Sequence, residues 1–109
     1  MGLADFMKGG EHEAAASEIM NMDISTELSA PLVAKHLVYQ AAGGYDKVCE
    51  ARGKPESIEK AQEMMSLFWT AFLAKFIENG VKIDNEAEVK SEAERLSKQV
   101  LIDSGEYQS

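Results

Sequence analysis

The segment from Met64 to Ile77 constrains the fold more than any other part of this chain, because eleven of its fourteen residues are apolar. A helix that packs one face against a core needs an apolar stripe over roughly half of its circumference. Only Ser66, Thr70 and Lys75 interrupt this run. Because this run would make a helix apolar on nearly every side, it predicts either a helix at the centre of the core or a helix shared with a partner chain.

Three features of the sequence bear on where such a chain is found. The apolar run has fourteen residues, whereas a helix that spans a bilayer needs about twenty, so we expect no membrane association. Residues 1–10 lack the basic start and apolar stretch of a signal peptide. Cys49 is the sole cysteine and cannot form an internal disulfide. These features together predict a cytoplasmic location.

The length of 109 residues, with 45% hydrophobic and 28% charged residues, fits one domain with a modest core. Residues 1–11 contain three glycines and no sustained hydrophobic period, and we interpret them as a flexible N-terminal arm. Residues 12–103 are predicted to form a single helical-bundle domain. Residues 104–109 are predicted to be a frayed tail.

Apolar periodicity and capping residues predict four helices, over residues 12–22, 29–52, 55–79 and 85–103. Ser29 is a suitable N-cap residue, and Pro31 fits the first turn that follows it. Asn85 with Glu88 three residues later is the pattern of a capping box. Gly80 stands where a Schellman motif would end the third helix.

The turn between the two long helices is predicted to be very tight, with Gly53 as C-cap and Pro55 in the next first turn. Such a turn folds two helices back as an antiparallel hairpin. Counting outward from it places Met64 and Met65 opposite the glycine pair 43–44. The predicted fold class is therefore all-α, a small three- or four-helix bundle built on an antiparallel αα-hairpin, and dimeric.

The predicted dimer follows from the surface available to cover the apolar helix. Burying a large apolar side chain is worth about 1.5–3 kcal/mol, against a total stability of about 5–15 kcal/mol. The first helix is short and the last has a narrow apolar stripe, so a second copy would supply the missing cover. A central core helix within one chain stays open as the alternative. The predicted core or interface anchors are Met64, Met65, Phe68, Trp69, Phe72, Leu73 and Phe76.

No catalytic or metal-binding motif is complete in the sequence. His12 and Glu13 resemble the start of a His-Glu-x-x-His zinc helix, but Ala16 stands in place of the second histidine. The glycine pairs lack the spacing and the following Lys of a phosphate-binding loop. We therefore expect no enzymatic activity, no metal and no cofactor. The predicted function is a protein-protein interaction or assembly module that pairs with itself or joins a larger complex.

Histidine phosphotransfer through His36 is one alternative function, because such domains use a solvent-exposed histidine on a helix of a small acidic bundle. Those domains typically carry Lys three residues after the histidine and Gly four residues after it. Here these positions hold Tyr39 and Gln40, so the residues that would steady the phosphoryl group are missing. We expect His36 to be a half-exposed polar residue.

The net charge of −8 argues against direct binding to nucleic acid, because an acidic chain repels phosphate backbones. The same acidity suggests a second alternative, an antagonist that occupies the basic surface of a nucleic-acid-binding protein. A simpler interpretation is that the charge keeps the protein in solution. The acidic residues proposed for a partner surface are Glu11, Glu13, Glu86, Glu88 and Glu92.

Overall fold

A computed structural model describes residues 2–21, 27–105 and 107 of the chain. Within these residues the protein is all-helical, with no strand, which confirms the predicted class. Four helices match the predicted ones to within three residues at each described end; residue 22 lies outside the described residues. The helices are α1 (Leu3–Met7), α2 (Glu11–Met20), α3 (Ala30–Arg52), α4 (Ile58–Glu78) and α5 (Glu86–Asp103).

Helix α3 occupies the centre of the fold and contacts each of the other four helices. Four of its nine buried residues are alanines, and none of the four is exposed to solvent: Ala30, Ala34, Ala41 and Ala42. Small side chains let neighbouring helices approach from several sides at once. The apolar helix α4 contacts α3 and α5 among the described elements. The sequence predicted α4 as a candidate for the central position, and α3 takes that position instead.

The end of α4 and the start of α5 follow the predicted signals. Gly80 has a φ of +86°, and the N–H of Val81 donates to the carbonyl of Phe76 at 3.0 Å. This is the hydrogen bond of a Schellman motif, which satisfies a carbonyl left free at the helix end. The side chain of Asn85 accepts a hydrogen bond from the N–H of Glu88 at 3.2 Å. The predicted end of α4 at Gly80 and the predicted N-cap of α5 at Asn85 are confirmed.

The start of α3 is held by a distant part of the chain. Ser29 is the N-cap residue, but its side chain makes no capping bond. Instead the carboxylate of Asp84 accepts from the N–H of Ala30 at 2.9 Å. Leu28 donates to the carbonyl of Lys82 at 2.8 Å and accepts from the N–H of Asp84 at 3.0 Å. The connector between α4 and α5 therefore fastens the first turn of α3.

A short helix, α1, lies in the segment for which the sequence predicted a flexible arm. Leu3 and Met7 are buried against the rest of the fold. The carboxylate of Asp46 on α3 accepts from the N–H groups of Leu3 and Ala4, at 2.7 and 2.9 Å. A carboxylate there satisfies donors that a helix start leaves unpaired. Asp46 is 43 residues away from Leu3 in sequence, so local patterning does not reveal this contact.

The predicted frayed tail, residues 104–109, lies partly outside the described residues, because 106, 108 and 109 are not described. Within the described part, the hydroxyl of Tyr107 donates to the carbonyl of Pro55 at 2.6 Å. The hydroxyl of Tyr45 lies 3.4 Å from it, and the ammonium of Lys54 lies 4.8 Å from the ring centroid. Tyr107 thus contacts the connector between α3 and α4.

The packing of α3 on α4 differs from the predicted pairing. A Cβ added at Gly44 would lie 2.8 Å from the ring of Phe68, whereas one at Gly43 meets no atom of the described residues within 4 Å. Phe68, rather than Met64 or Met65, therefore lies against Gly44, and Gly43 has no such neighbour. Residues 53–57 are not helical, so α4 begins three residues later than predicted and the pairing moves by about one turn.

Candidate interaction surface

One side of α4 lies in the core of the chain itself. Met65, Trp69 and Leu73 recur every four residues, as one face of a helix requires, and all three are buried. This face packs against α3 and α5, the two neighbours of α4 among the described elements. These three predicted anchors thus meet the same chain.

The other predicted anchors lie on the flanks of this buried face. Phe68 packs on Gly44, and Phe76 stacks on His36 with ring centroids 5.2 Å apart. Met64 is half-buried, whereas Phe72 remains 36% exposed. Phe72 is therefore the predicted anchor with the most surface left for a partner.

The side of α4 that points away from α3 and α5 carries apolar residues that the sequence analysis did not select as anchors. Leu67 is 71% exposed, and Ala71 and Ala74 are also exposed. At 100° per residue these positions share one face with four charged residues. We call this set the outer face of α4, and it comprises Lys60, Glu63, Met64, Leu67, Ala71, Ala74, Lys75 and Glu78.

A signal for the outer face was present in the sequence. Lys60, Glu63, Lys75 and Glu78 lie within about a third of the helix circumference, and charged side chains of this kind mark a solvent-facing side. Leu67 falls between them on the same face. A helical wheel centred on these four charges would have indicated that the exposed apolar patch includes Leu67.

His36 does not lie where a phosphotransfer histidine must lie. Its side chain is buried, with 6% exposure, and it stacks on Phe76. Its Nδ1 has no hydrogen-bond partner among the described residues. Burial lowers the pKa of His36, because the charged imidazolium loses its hydration. The expectation of a half-exposed His36 is wrong, since the close packing of α3 and α4 encloses it.

Three of the five acidic residues proposed for a partner surface interact within the chain. Glu92 accepts from the guanidinium of Arg95 at 2.7 Å, and this hydrogen bond lowers the pKa of Glu92. Glu11 lies 3.7 Å from the ammonium of Lys35, and Glu13 accepts from the hydroxyl of Tyr39 at 3.1 Å. The remaining two residues, Glu86 and Glu88, are exposed in the first turn of α5.

The structure places Glu11 and Glu92 in one mixed-charge cluster. Lys35 acts electrostatically on Glu92, and Glu11 acts on Arg95, so the two acidic residues and the two basic ones are close in space. Glu86 and Glu88 are in the first turn of α5, where the positive end of the helix dipole favours acidic side chains. The cluster thus pairs Glu11 and Glu92 with basic groups of the same chain.

A metal site needs a group of ligating side chains, and a membrane-spanning helix needs about twenty predominantly apolar residues. Across residues 2–21, 27–105 and 107, no group of three or more His, Cys, Asp or Glu side chains is arranged to hold a metal ion. Within the same part of the chain, no helix is both long enough and apolar enough to cross a membrane.

The described residues define an all-helical protein whose most apolar helix leaves one side uncovered. The family model described as virulence factor CipC-like matches residues 12–104, and the chain belongs to this family. The match runs through α3, α4 and α5 and includes α2 from its second residue, whereas α1 lies outside it. No curated protein and no solved structure gives a significant match to the chain.

Proposed function

We propose that the protein is a non-enzymatic association module that pairs with a second copy of itself through the outer face of α4. The observation that carries this proposal is the 71% exposure of Leu67 at the middle of an apolar helix. Phe72 and Ile77, at 36% and 43%, are also exposed along the same helix. The description of the family names a virulence factor and neither a reaction nor a partner, so the geometry of α4 supplies the support.

The order of residues on the outer face supports pairing with a second copy. When two α4 helices pack antiparallel about a two-fold axis at the level of position 69, a residue on the centre line of the outer face meets the residue whose number brings the sum to 138. Lys60 then faces Glu78 of the partner subunit, because both positions lie on that centre line. Isologous interfaces require this kind of self-complementarity.

The same axis also brings a large side chain against a small one. Leu67 lies against Ala71 of the partner subunit, because both positions are within about 20° of the centre line. A large side chain opposite a small one fills the interface without a clash, as in the interior of a protein. Covering Leu67 in both copies contributes about 1.5–3 kcal/mol each, whereas each exposed ion pair adds about 0–1 kcal/mol. The apolar residues thus provide affinity, and the charges select the register.

The arrangement of α3 and α4 as an antiparallel hairpin belongs to this proposal, because it explains why one side of α4 stays uncovered. Support comes from two contacts, Gly44 with Phe68 and His36 with Phe76. From the first contact to the second, the position on α3 is eight residues earlier and the position on α4 is eight residues later, as expected for antiparallel helices. Helix α3 then covers one flank of α4 along its length and α5 covers another, which leaves the outer face to a second copy.

Light scattering across a concentration series tests the pairing. We expect the parent chain to have the mass of a dimer and the Leu67→Glu variant to have the mass of a monomer, because a carboxylate would be buried at the interface centre. Met20→Glu is the matched control, since Met20 is similarly exposed, at 77%, but lies on α2. A parent chain that stays monomeric at the highest concentration would overturn the proposal.

A further inference from the structure

A cavity of about 340 Å³ lies between α1, α2 and α5, and among the described residues none from α4 lines it. Its apolar wall comes from three buried residues, Met7, Leu96 and Val100, and from the ring of Phe6, which is 51% exposed. The volume is at the small end of the usual range for ligand cavities. Such a cavity suits a small apolar ligand of one or two fused rings.

His12 on α2 brings a polar group to the wall of this cavity. Its Nδ1 lies 3.3 Å from the carbonyl oxygen of Lys35. Since a carbonyl can only accept a hydrogen bond, Nδ1 carries the ring hydrogen and Nε2 holds a lone pair. Burial lowers the pKa of His12, so the ring is uncharged at neutral pH. The free nitrogen of His12 is therefore a hydrogen-bond acceptor.

The lone pair on Nε2 of His12 is open to a ligand. No described residue donates a hydrogen bond to this nitrogen. It is also not completely enclosed by the protein, in contrast to the unpaired Nδ1 of His36. Because His12 is 8% exposed and lines the cavity, a molecule in the cavity can reach Nε2 with a hydrogen-bond donor.

The charged side chains at the rim of the cavity already interact within the chain. Glu11 and Arg95 belong to the mixed-charge cluster, in which each has an oppositely charged partner. Asp103 accepts from the side-chain amide of Gln99 at 2.8 Å. A charged ligand would have to displace one of these contacts, whereas an uncharged ligand leaves them in place. The rim therefore favours an uncharged ligand.

We propose that the cavity between α1, α2 and α5 binds an uncharged phenol of one or two fused rings. The phenol hydroxyl donates to Nε2 of His12, and the ring packs against Phe6 and Met7. Aromatic rings and thioether sulfurs both favour an aromatic ligand over an aliphatic one. This site goes beyond the proposed self-association, since no residue of the outer face of α4 takes part in it.

NMR titration of the whole chain with 2-naphthol, at neutral pH and with isotope-labelled histidine, tests the site directly. We expect the Nε2 signal of His12 to shift saturably toward that of a hydrogen-bonded nitrogen. The signals of His36, which is not part of the cavity wall, should stay in place. 2-Methoxynaphthalene has the same rings and no O–H group, so its dissociation constant should be about fivefold higher.

Variants separate the hydrogen bond from the apolar contacts. His12→Leu should raise the dissociation constant of 2-naphthol about fivefold and leave that of 2-methoxynaphthalene nearly unchanged, whereas a merely structural role would affect both ligands alike. Phe6→Ala should weaken both ligands by about fivefold. Phe72→Ala is the matched control, because Phe72 is also an exposed phenylalanine but lies on α4, and this variant should bind both ligands as the parent does.

Two results with the parent chain would overturn the site, and neither depends on whether a variant folds. One is a His12 signal that does not move with 2-naphthol, and the other is equal binding of 2-naphthol and 2-methoxynaphthalene. Light scattering in the presence of 2-naphthol reports self-association separately. A monomer that binds 2-naphthol would leave this site in place and remove the dimer, whereas a dimer that does not bind it would do the reverse.

Discussion

At the scale of the residue, His12 and His36 are the side chains whose surroundings differ most from what their types suggest. Both are buried, and burial lowers the pKa of each below its ordinary value. In His12, a hydrogen bond involving the carbonyl of Lys35 opposes this effect in part. Both histidines bind protons more weakly in the folded protein than in the unfolded chain.

These two pKa shifts predict a loss of stability in mild acid. An unfolded histidine has a pKa of about 6.5. Since the folded pKa values are lower, the unfolded chain binds more protons below about pH 6.5, and the free energy of unfolding falls as the pH falls. We expect the free energy of unfolding to decrease between about pH 7.5 and about pH 5.5, with an upper limit of about 2.7 kcal/mol for two histidines that stay neutral in the folded protein, measured by urea denaturation.

A histidine-free variant gives the control for this pH dependence. The double variant His12→Gln/His36→Gln should show a nearly flat free energy of unfolding over the same pH interval, whatever its absolute stability. Glutamine does not titrate, so any slope that persists must come from other groups. A parent protein with equal stability at both pH values would contradict the assignment to buried histidines.

At the scale of the element, the close contact of α3 and α4 depends on one of two adjacent glycines. Gly44 lies under the ring of Phe68, while Gly43 has no close neighbour among the described residues. Both interrupt the interior of α3, where glycine is usually unfavourable. Their sequence context is nearly the same, and the facing helix alone distinguishes them.

Alanine at each glycine should therefore change stability in opposite directions. Gly43→Ala should raise the free energy of unfolding by about 0.5–1 kcal/mol, because alanine is the better helix former. Gly44→Ala should lower it by about 1 kcal/mol, since displacement of the Phe68 ring outweighs that gain. Thermal and urea denaturation of the two variants measure the difference. If both alanines stabilise the protein, the contact between Gly44 and Phe68 is not a tight one.

At the scale of the whole molecule, the outer face of α4 determines whether the chain acts alone. The proposed two-fold axis places the ion pair of Lys60 with Glu78 twice in the interface, because the symmetry repeats each contact. Lys60 also lies 3.3 Å from Glu56 within its own chain, as an exposed pair that contributes little. The charges of α4 thus provide a test of register that is independent of Leu67.

Charge reversal on α4 should weaken and then restore the dimer. Lys60→Glu places two carboxylates face to face at two positions of the interface, and we expect the dissociation constant to rise about tenfold. Combining it with Glu78→Lys should return the constant to near the parent value. Analytical ultracentrifugation at low ionic strength measures this change. Lys47→Glu, on the exposed side of α3, serves as the control.

If the Lys60→Glu/Glu78→Lys variant does not return to the dissociation constant of the parent, the axis at position 69 is excluded, whereas self-association is not. In that case the Leu67→Glu result would still report whether the outer face is used. Recovery in the double variant, with loss in each single one, would assign the contact between these two positions.

The sequence alone was sufficient for the local features of this protein. The class, the four longer helices and the ends at Gly80 and Asn85 follow from hydrogen bonds between residues close in the chain, together with apolar spacing. Met65, Trp69 and Leu73 were recognised as anchors because large apolar side chains at helical spacing must be covered. Whether the cover came from the same chain or from another was not encoded locally.

Tertiary packing decided the rest, because these features depend on which elements face each other. The alanines of α3 let its neighbours approach from several sides and place α3 at the centre, so Leu67 on α4 stays exposed. Asp46 holds α1 and Asp84 holds the start of α3, and both contacts join residues more than forty positions apart.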